Sequence, residues 1–285
     1  MRKLIKRAGL VCGVSVGSLL HCQAQNFYTA QEYGVAAGAA HYFGDLNPNY
    51  GFKHIRPAFG LLFKQHFNPY ISVISFLNGT QVGYDDAWSN NAFQKIRNLN
   101  FQSYIIELGV AGEFNFFWFD TGRKGKRFTP YLTLGVAGFY SNPYTTLDGR
   151  RYALRPLGTE GQHTEAYKKR KYSNLNVSFP VGVGFKTWIV PGVNLAVEIA
   201  NRFTTTDYMD DVSQTYVGKQ HFGGERSTTA ANRLQDRSAG QLLGVKDQQR
   251  GDKISFDQYL IAQVKISFQL KTYKCPKYNQ GLWEP

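Results

Sequence analysis

The sequence predicts an all-β chain: a single eight-stranded antiparallel transmembrane barrel of the outer-membrane kind, with long extracellular loops and short periplasmic turns. Three observations carry that expectation. Several segments alternate apolar with polar or small residues, which on a strand sorts them onto two faces. These segments exceed the roughly five or six residues usual in soluble strands and reach the about nine to eleven that a tilted strand needs to cross a bilayer. The links between them alternate long and short, as they do when one barrel end carries loops and the other carries turns.

Residues 1–24 read as a secretory signal. Arg2, Lys3, Lys6 and Arg7 form its positive start, 8–20 its apolar stretch, and Cys22-Gln23-Ala24 a small-residue cleavage site. Acylation of Cys22 is the other reading, disfavoured by the bulky His21 before it. No later run approaches the 18 or so apolar residues of a membrane helix. Export removes Cys12 and Cys22 and leaves Cys275, so no disulfide closes within the mature chain. Loss of the four signal cations lowers the formal net charge from +13 to about +9, still basic. Export argues against a nucleic-acid partner. Outer-membrane lipids, the phosphates of lipopolysaccharide, or an acidic protein face are more natural counterparts.

The barrel is expected over 25–270. Segment 31–44 is a weakly patterned first strand rich in Gly and Ala. Segment 57–67 sets Phe59, Leu61, Phe63 and Phe67 outward against Ala58, Gly60, Lys64 and His66, and 70–82 follows Asn68-Pro69 with a blurred pattern. The longest alternation, 100–117, sets Tyr104, Ile106, Leu108, Val110, Phe114 and Phe116 against Ser103, Glu107, Gly109, Ala111, Glu113 and Asn115. Segment 128–140 sets Leu132, Leu134 and Val136 against Tyr131, Thr133, Gly135 and Ala137. The clearest pair is the hairpin 175–203, with Leu175, Val177, Phe179, Val181, Val183 and Phe185 on one arm. A Val190-Pro191-Gly192 turn leads to Leu195, Val197, Ile199 and Phe203 on the other. Segment 254–270 closes the series with Leu260, Val264, Ile266 and Phe268 opposite Asp257, Gln263, Lys265 and Ser267.

Connections 45–56, 83–99, 141–174 and 204–253 are long, 68–69 and 189–192 are short, and 118–127 is moderate. That order places both termini in the periplasm and the long loops outside the cell. Candidate girdle aromatics are Trp118, Phe119, Tyr131, Trp188 and Tyr273 at the turn ends and Tyr84, Trp88, Tyr140, Tyr144 and Tyr172 at the loop ends.

Lys64, His66, Glu107, Glu113, Lys186, Glu198, Arg202 and Lys265 fall on the inward faces. On the lipid face a central Lys or Arg would cost about 2–4 kcal/mol, whereas inside they can pair. An eight-stranded barrel is filled by its own side chains, so a salt-bridged plug is expected rather than a pore. Among loop residues only Asp85, Asp86, Asp210, Asp211, His163 and His221 suggest catalysis, and none has the spacing of a nucleophile and its base. No enzyme is expected, and no cofactor. The 207–211 cluster offers oxygens to Ca²⁺ but lacks the Asp/Asn-and-Gly spacing of a calcium loop, so hydrogen bonding within the loop is expected instead of a metal. Lys168-Lys169-Arg170-Lys171 reads equally as a phosphate-gripping run or a solvated loop. On the periplasmic side Arg123, Lys124, Lys126 and Arg127 are candidate docking residues. So are Lys271, Lys274, Cys275, Pro276 and Lys277 of the 271–285 periplasmic tail, for which a frayed terminus is the other reading.

Two loop segments also resemble a known family. Residues 152–162 (YALRPLGTEGQ) and 206–216 (TDYMDDVSQTY) look like signature loops of the PorG-like outer-membrane barrels, which belong to the type IX secretion machinery of Bacteroidota. Segments 42–47, 56–60, 113–117, 128–131 and 274–276 add weaker matches, so the resemblance spans nearly the whole mature chain. It marks Tyr152, Leu154, Pro156, Gly158, Thr159, Glu160, Gly161 and Gln162 in one loop, and Asp207, Tyr208, Asp210, Asp211, Ser213 and Tyr216 in the other. It implies a non-enzymatic component that anchors or organises a periplasmic ring, built by a PorK-like lipoprotein and its PorN-like partner, at the outer membrane. The rival from another class is an outer-membrane enzyme or lipid-binding barrel acting through its extracellular loops. The long polar stretch 221–250 departs from the family pattern.

Overall fold

A computed structural model describes residues 31–48, 53–224, 227–252 and 255–270. The expected signal peptide and the 271–285 tail, with Lys271, Tyr273, Lys274, Cys275, Pro276 and Lys277, lie outside the described residues. Ten strands appear among the described residues: β1 Gln31–Phe43, β2 Arg56–His66, β3 Ile71–Asp85, β4 Asn100–Asn115, β5 Phe128–Ser141, β6 Tyr144–Leu147, β7 Arg150–Ala153, β8 Leu175–Val190, β9 Val193–Thr204 and β10 Gln258–Leu270. All pairings are antiparallel. β1 pairs with both β2 and β10, and β3 pairs with β4, so eight of the strands close into a barrel. Closure leaves no free sheet edge among them, which satisfies every spanning strand's backbone within the ring. The remaining two, β6 and β7, form a hairpin that continues the wall beside β4 at the loop end, where Tyr144 pairs with Gln102. It lies within the long 141–174 connection, to which the sequence pattern assigns no strand.

The two-residue period sets what each strand shows to either side. Phe59 is 63% exposed, Leu108 65%, Leu134 67% and Phe185 63%, which in water would forfeit about 1.5–3 kcal/mol for each side chain. An apolar belt of that extent around a closed barrel is a lipid-facing surface, and the molecule is a transmembrane barrel of the outer-membrane type. Room inside is made by small residues. Gly184 of β8 pairs with Tyr131 of β5, and a Cβ there would lie 2.4 Å from the Tyr131 ring. The glycine thus lets Tyr131 turn inward. At the turn end, Gly192 takes φ +89° and closes the β8–β9 turn after Pro191.

Two expectations need correction. The girdle is smaller than the aromatic count implied: Phe119, Tyr131, Tyr84 and Tyr144 are buried, while Trp118 and Tyr140 are exposed. Phe119 and Tyr131 face inward because Lys186 lies there, its Nζ 4.7 and 5.7 Å from their ring centres. The third strand runs three residues further than its pattern suggested, to Asp85. Its upper residues Val82 and Tyr84 are buried under the loops, which erases the outward alternation there. The apolar core proper gathers at this loop end around Tyr42, Leu46, Phe101, Met209, Leu234 and Tyr259.

Candidate functional site

All eight charges expected inside are inside, and they pair. Glu113 of β4 accepts from Lys64 of β2 at 2.8 Å and Lys186 of β8 at 2.5 Å. Lys265 meets Glu198 at 2.7 Å, and Arg202 lies 3.4 Å from Glu107 in a looser contact without hydrogen-bond alignment. Glu107 also accepts from Asn78 at 3.0 Å. His66 meets Glu32 at 2.7 Å and Ser72 at 2.7 Å. Glu32 was missed because its strand is dominated by Gly and Ala, yet it supplies the acid that balances the set. Four lysine or arginine cations then face four glutamates among the described residues. A cavity of about 30 Å³, lined by Ile74, Asn78, Thr133 and Arg202 among others, is the space left between them, room for a water or two. The interior is a plug.

At the loop end the two motif segments meet. Glu160, fully buried, accepts from the backbone of Ser213 at 3.0 Å and Gln214 at 3.2 Å, and from the Tyr208 hydroxyl at 3.1 Å. Arg250, a residue no sequence spacing marked, donates to Glu160 at 3.0 Å, to the Asp211 carbonyl at 2.6 Å and to the Gln235 carbonyl at 3.3 Å. Thr159 and Tyr172 donate to the two oxygens of Asp211 at 2.5 and 2.7 Å. Tyr172 stacks on Tyr208 with centres 4.7 Å apart and planes 3° from parallel. Gln162 accepts from the Glu160 backbone, and Gly158 and Gly161 take positive φ in the turns between. Leu154 and Tyr216 are buried in the same cap, Tyr152 packs at its side and Pro156 is exposed. Burial, partly countered by Arg250, pushes Asp211 up to about 6 and Tyr216 up to about 12.

Beside it lies a carboxylate cluster. The Tyr42 hydroxyl sits 2.6 Å from Asp210 and 2.8 Å from Asp257. One hydroxyl proton cannot serve both acids, so a second proton is held within the group. Burial, reinforced by mutual repulsion, pushes Asp45 up to about 9 and Asp207 up to about 8. Burial also raises Asp210 to about 7 and lifts Asp257 above the carboxylate range. Among the described residues no group of His, Cys, Asp or Glu is arranged to hold a metal ion. Arg97, on the short helix Ala92–Arg97, fastens the cap from the third side. It binds Asp86 through two nitrogens at 2.7 Å and the Arg250 carbonyl at 2.5 Å.

The polar stretch 221–250 is therefore partly internal: Phe222, Asn232, Leu234, Gln235, Asp236 and Arg250 are buried, while 245–249 are exposed. The basic run 168–171 is split. Arg170 turns inward to the Thr215 carbonyl at 2.7 Å, and Lys168 pairs with Glu165 at the surface. Of the residues that suggested catalysis, His163 lies at the surface, bonded to the Pro156 carbonyl at 2.8 Å. His221, partly buried, packs edge-on against Tyr167.

At the opposite end Arg123, Lys124, Lys126 and Arg127 are all exposed. Arg123 and Lys126 lie over the Trp118 ring at 5.8 and 5.7 Å, and Arg127 over Trp188 at 5.3 Å. These contacts hold the cations beside the lipid boundary.

The family model described as a domain of unknown function (DUF6089) matches residues 14–223. The chain belongs to that DUF6089 family. The match takes in both motif loops but stops short of Arg250, Asp257 and the closing strand β10. No curated protein matches the chain in sequence. Among solved structures, Ail, the attachment invasion locus protein of Yersinia pestis, in complex with the heparin analogue sucrose octasulfate, is 9% identical. That comparison covers 86% of this chain and 100% of Ail, with a TM-score of 0.40. Neisserial surface protein A is 10% identical over 85% of this chain and 97% of its own, with a TM-score of 0.41. The N-terminal barrel of Pseudomonas aeruginosa OprF is 7% identical over 85% and 98%, with a TM-score of 0.36. The barrel architecture of this DUF6089 chain rests on its own strand pairing.

Proposed function

We propose that the protein is a non-enzymatic outer-membrane component of the type IX secretion machinery. In this reading the barrel stands with its loops outside the cell and both termini in the periplasm. Its turn end and tail anchor or organise a ring of the PorK and PorN kind. The observation that carries the reading is the cationic rim of the turn end. Arg123, Lys124, Lys126 and Arg127 are presented to solvent within 123–127, with Arg123, Lys126 and Arg127 on an aromatic footing. A cationic rim of that kind suits an acidic protein face. The resemblance of the 152–162 and 206–216 loops gives the partner its name.

Photo-cross-linkers placed singly in 118–127 and 271–285 of the full chain in cells test this. Capture of a periplasmic ring lipoprotein is expected. No capture, together with secretion unchanged after deletion of the tail and reversal of the four turn charges, would refute it. The rival reading, an enzyme acting through the outer loops, needs accessible acids. Asp210 and Asp211 are instead buried and hydrogen-bonded to Tyr42, Thr159 and Tyr172, which favours a structural use of both.

A further inference from the structure

We propose that Arg151, held on the rings of Tyr144 and Tyr104, is a binding site for the phosphate of a phosphorylated glycolipid of the lipopolysaccharide kind. The site lies on the lipid-facing wall. Residues directly opposite across a strand pair share a face, and Tyr144 is opposite Gln102, two residues from the 53% exposed Tyr104. Arg151 is opposite Thr146 on the same side of the small hairpin. Its guanidinium carbon lies 3.3 Å from the Tyr144 ring centre and 5.5 Å from that of Tyr104. The two rings are themselves stacked at 5.9 Å, and Gln81 donates to the Tyr144 hydroxyl at 2.8 Å. The cation is thus oriented before any ligand arrives. Among the described residues it forms no ion pair, while Asp148 at the tip of the same hairpin is bound by Arg233 of the 204–253 loop.

Its height selects the ligand. The row of Ile106 and Tyr140, which face each other, is the last apolar row on this wall, and Tyr104 stands immediately above it. Below, the outward positions run through Leu108, Val110 and Phe114 to Phe116 at the turn end. The ten steps from Ile106 to Phe116 span about 33 Å along the strand, or about 25 Å along the axis at a tilt of 40°, the height of a barrel's apolar band. Arg151 therefore sits sideways at the boundary where lipid headgroups begin. A planar guanidinium there matches a phosphate through two parallel hydrogen bonds, while the exposed ring of Tyr104 beside it accepts the first sugar. A phosphorylated sugar headgroup fits both features, and a glycerol phospholipid only the first. The choice of glycolipid rests on the proposed outward-facing loop end.

The test uses the full chain refolded in a neutral detergent, its folding checked by heat-dependent gel migration, and titrated with fluorescent lipopolysaccharide. Saturable binding is expected, weakened by at least about tenfold in R151Q, the least that loss of charge-assisted hydrogen bonds to the phosphate should cost. Wild-type protein should bind dephosphorylated lipopolysaccharide as weakly as R151Q binds the intact lipid, and phosphatidylglycerol about tenfold more weakly than lipopolysaccharide. Equal binding by R151Q and wild type, or indifference to the phosphate, would overturn the site. Phosphatidylglycerol binding as tight as lipopolysaccharide would overturn the assignment of ligand. Binding in detergent does not depend on sidedness, so protease accessibility of the loop end on whole cells tests the orientation separately.

Discussion

Substituting Arg250 by Met should open the loop-end cap without disturbing the barrel. The side chain is 2% exposed and Glu160 is fully buried, so the variant leaves the carboxylate, where water does not reach, with only Arg170 4.0 Å away as a cation. Breaking a buried pair from one side costs about 3–5 kcal/mol. Glu160 keeps three other donors, Ser213, Gln214 and Tyr208, which argues for the lower end of that range. The carbonyls of Asp211 and Gln235 each lose a donor, adding about 1 kcal/mol apiece. The sum, about 5 kcal/mol, corresponds to a local opening roughly several thousandfold more frequent. Hydrogen exchange read by mass spectrometry on peptides covering 158–162 and 206–217 measures it directly, with peptides from β8 and β9 as the unmoved reference. E160Q in the same background removes the stranded charge and should recover about 2 kcal/mol. Exchange in R250M within about fivefold of wild type would refute the reasoning, since the ion pair would then contribute less than about 1 kcal/mol to closure. Failure of E160Q to rescue would show that volume rather than charge sets the loss.

Three other outcomes follow from the same geometry. E113Q leaves Lys64 and Lys186 buried without their shared carboxylate and should lower barrel stability by about 3–5 kcal/mol, read as a fall in the heat-shift midpoint; adding K186M should restore part of it. Asp45, Asp207, Asp210 and Asp211 bind protons more tightly folded than unfolded, with values of about 9, 8, 7 and 6. Their stabilising contribution is complete below about pH 4 and falls as pH rises through 6 to 9, so the 205–257 loop should be more protease-resistant at pH 5 than at pH 9; the reverse order would contradict the cluster. Reversing Arg123, Lys124, Lys126 and Arg127 to Glu should abolish ring cross-links from 118–127 while leaving heat-dependent migration unchanged, because all four side chains are exposed.

The barrel was legible because membrane strands obey one rule over many residues. The alternation in 100–117 and 175–203 located β4, β8 and β9 to within a few residues, and parity alone put Lys64, Glu113 and Lys186 inside. Where the rule has competition it fails. β3 loses its alternation above Thr80 because loops cover both of its faces, and β1 hides Glu32 among small residues that pack equally well on either side. The cap was less legible. Resemblance singled out Glu160, Asp210 and Asp211, but Tyr42, which bonds Asp210, comes from β1, Arg250, which bonds Glu160, from the far end of the 204–253 connection, and Arg97, which bonds the Arg250 carbonyl, from the 83–99 connection. Nothing periodic links residues that meet only when loops of unrelated length fold over one another. The 146–151 turn, with Asp148 and Gly149 at positive φ, is a two-residue hairpin signal that the length of the loop concealed.

Burying so much charge in a cap is a poor route to stability, since apolar packing of equal volume is often as good or better. What directional bonds add is uniqueness. Glu160 accepts from two successive backbone amides of the other loop, so a slip of one residue between the loops would break both bonds at once. The same precision reaches the rim: the Leu154 amide bonds the Pro143 carbonyl, one residue from Tyr144, and Tyr144 carries Arg151. An apolar cap could shift in register with little penalty and carry the hairpin with it. A hydrogen-bonded cap fixes where the hairpin stands, and hence where Arg151 meets the membrane. On this argument the buried acids act at the lipid boundary without touching lipid. Loosening them should weaken glycolipid binding even though Arg151 itself is unchanged.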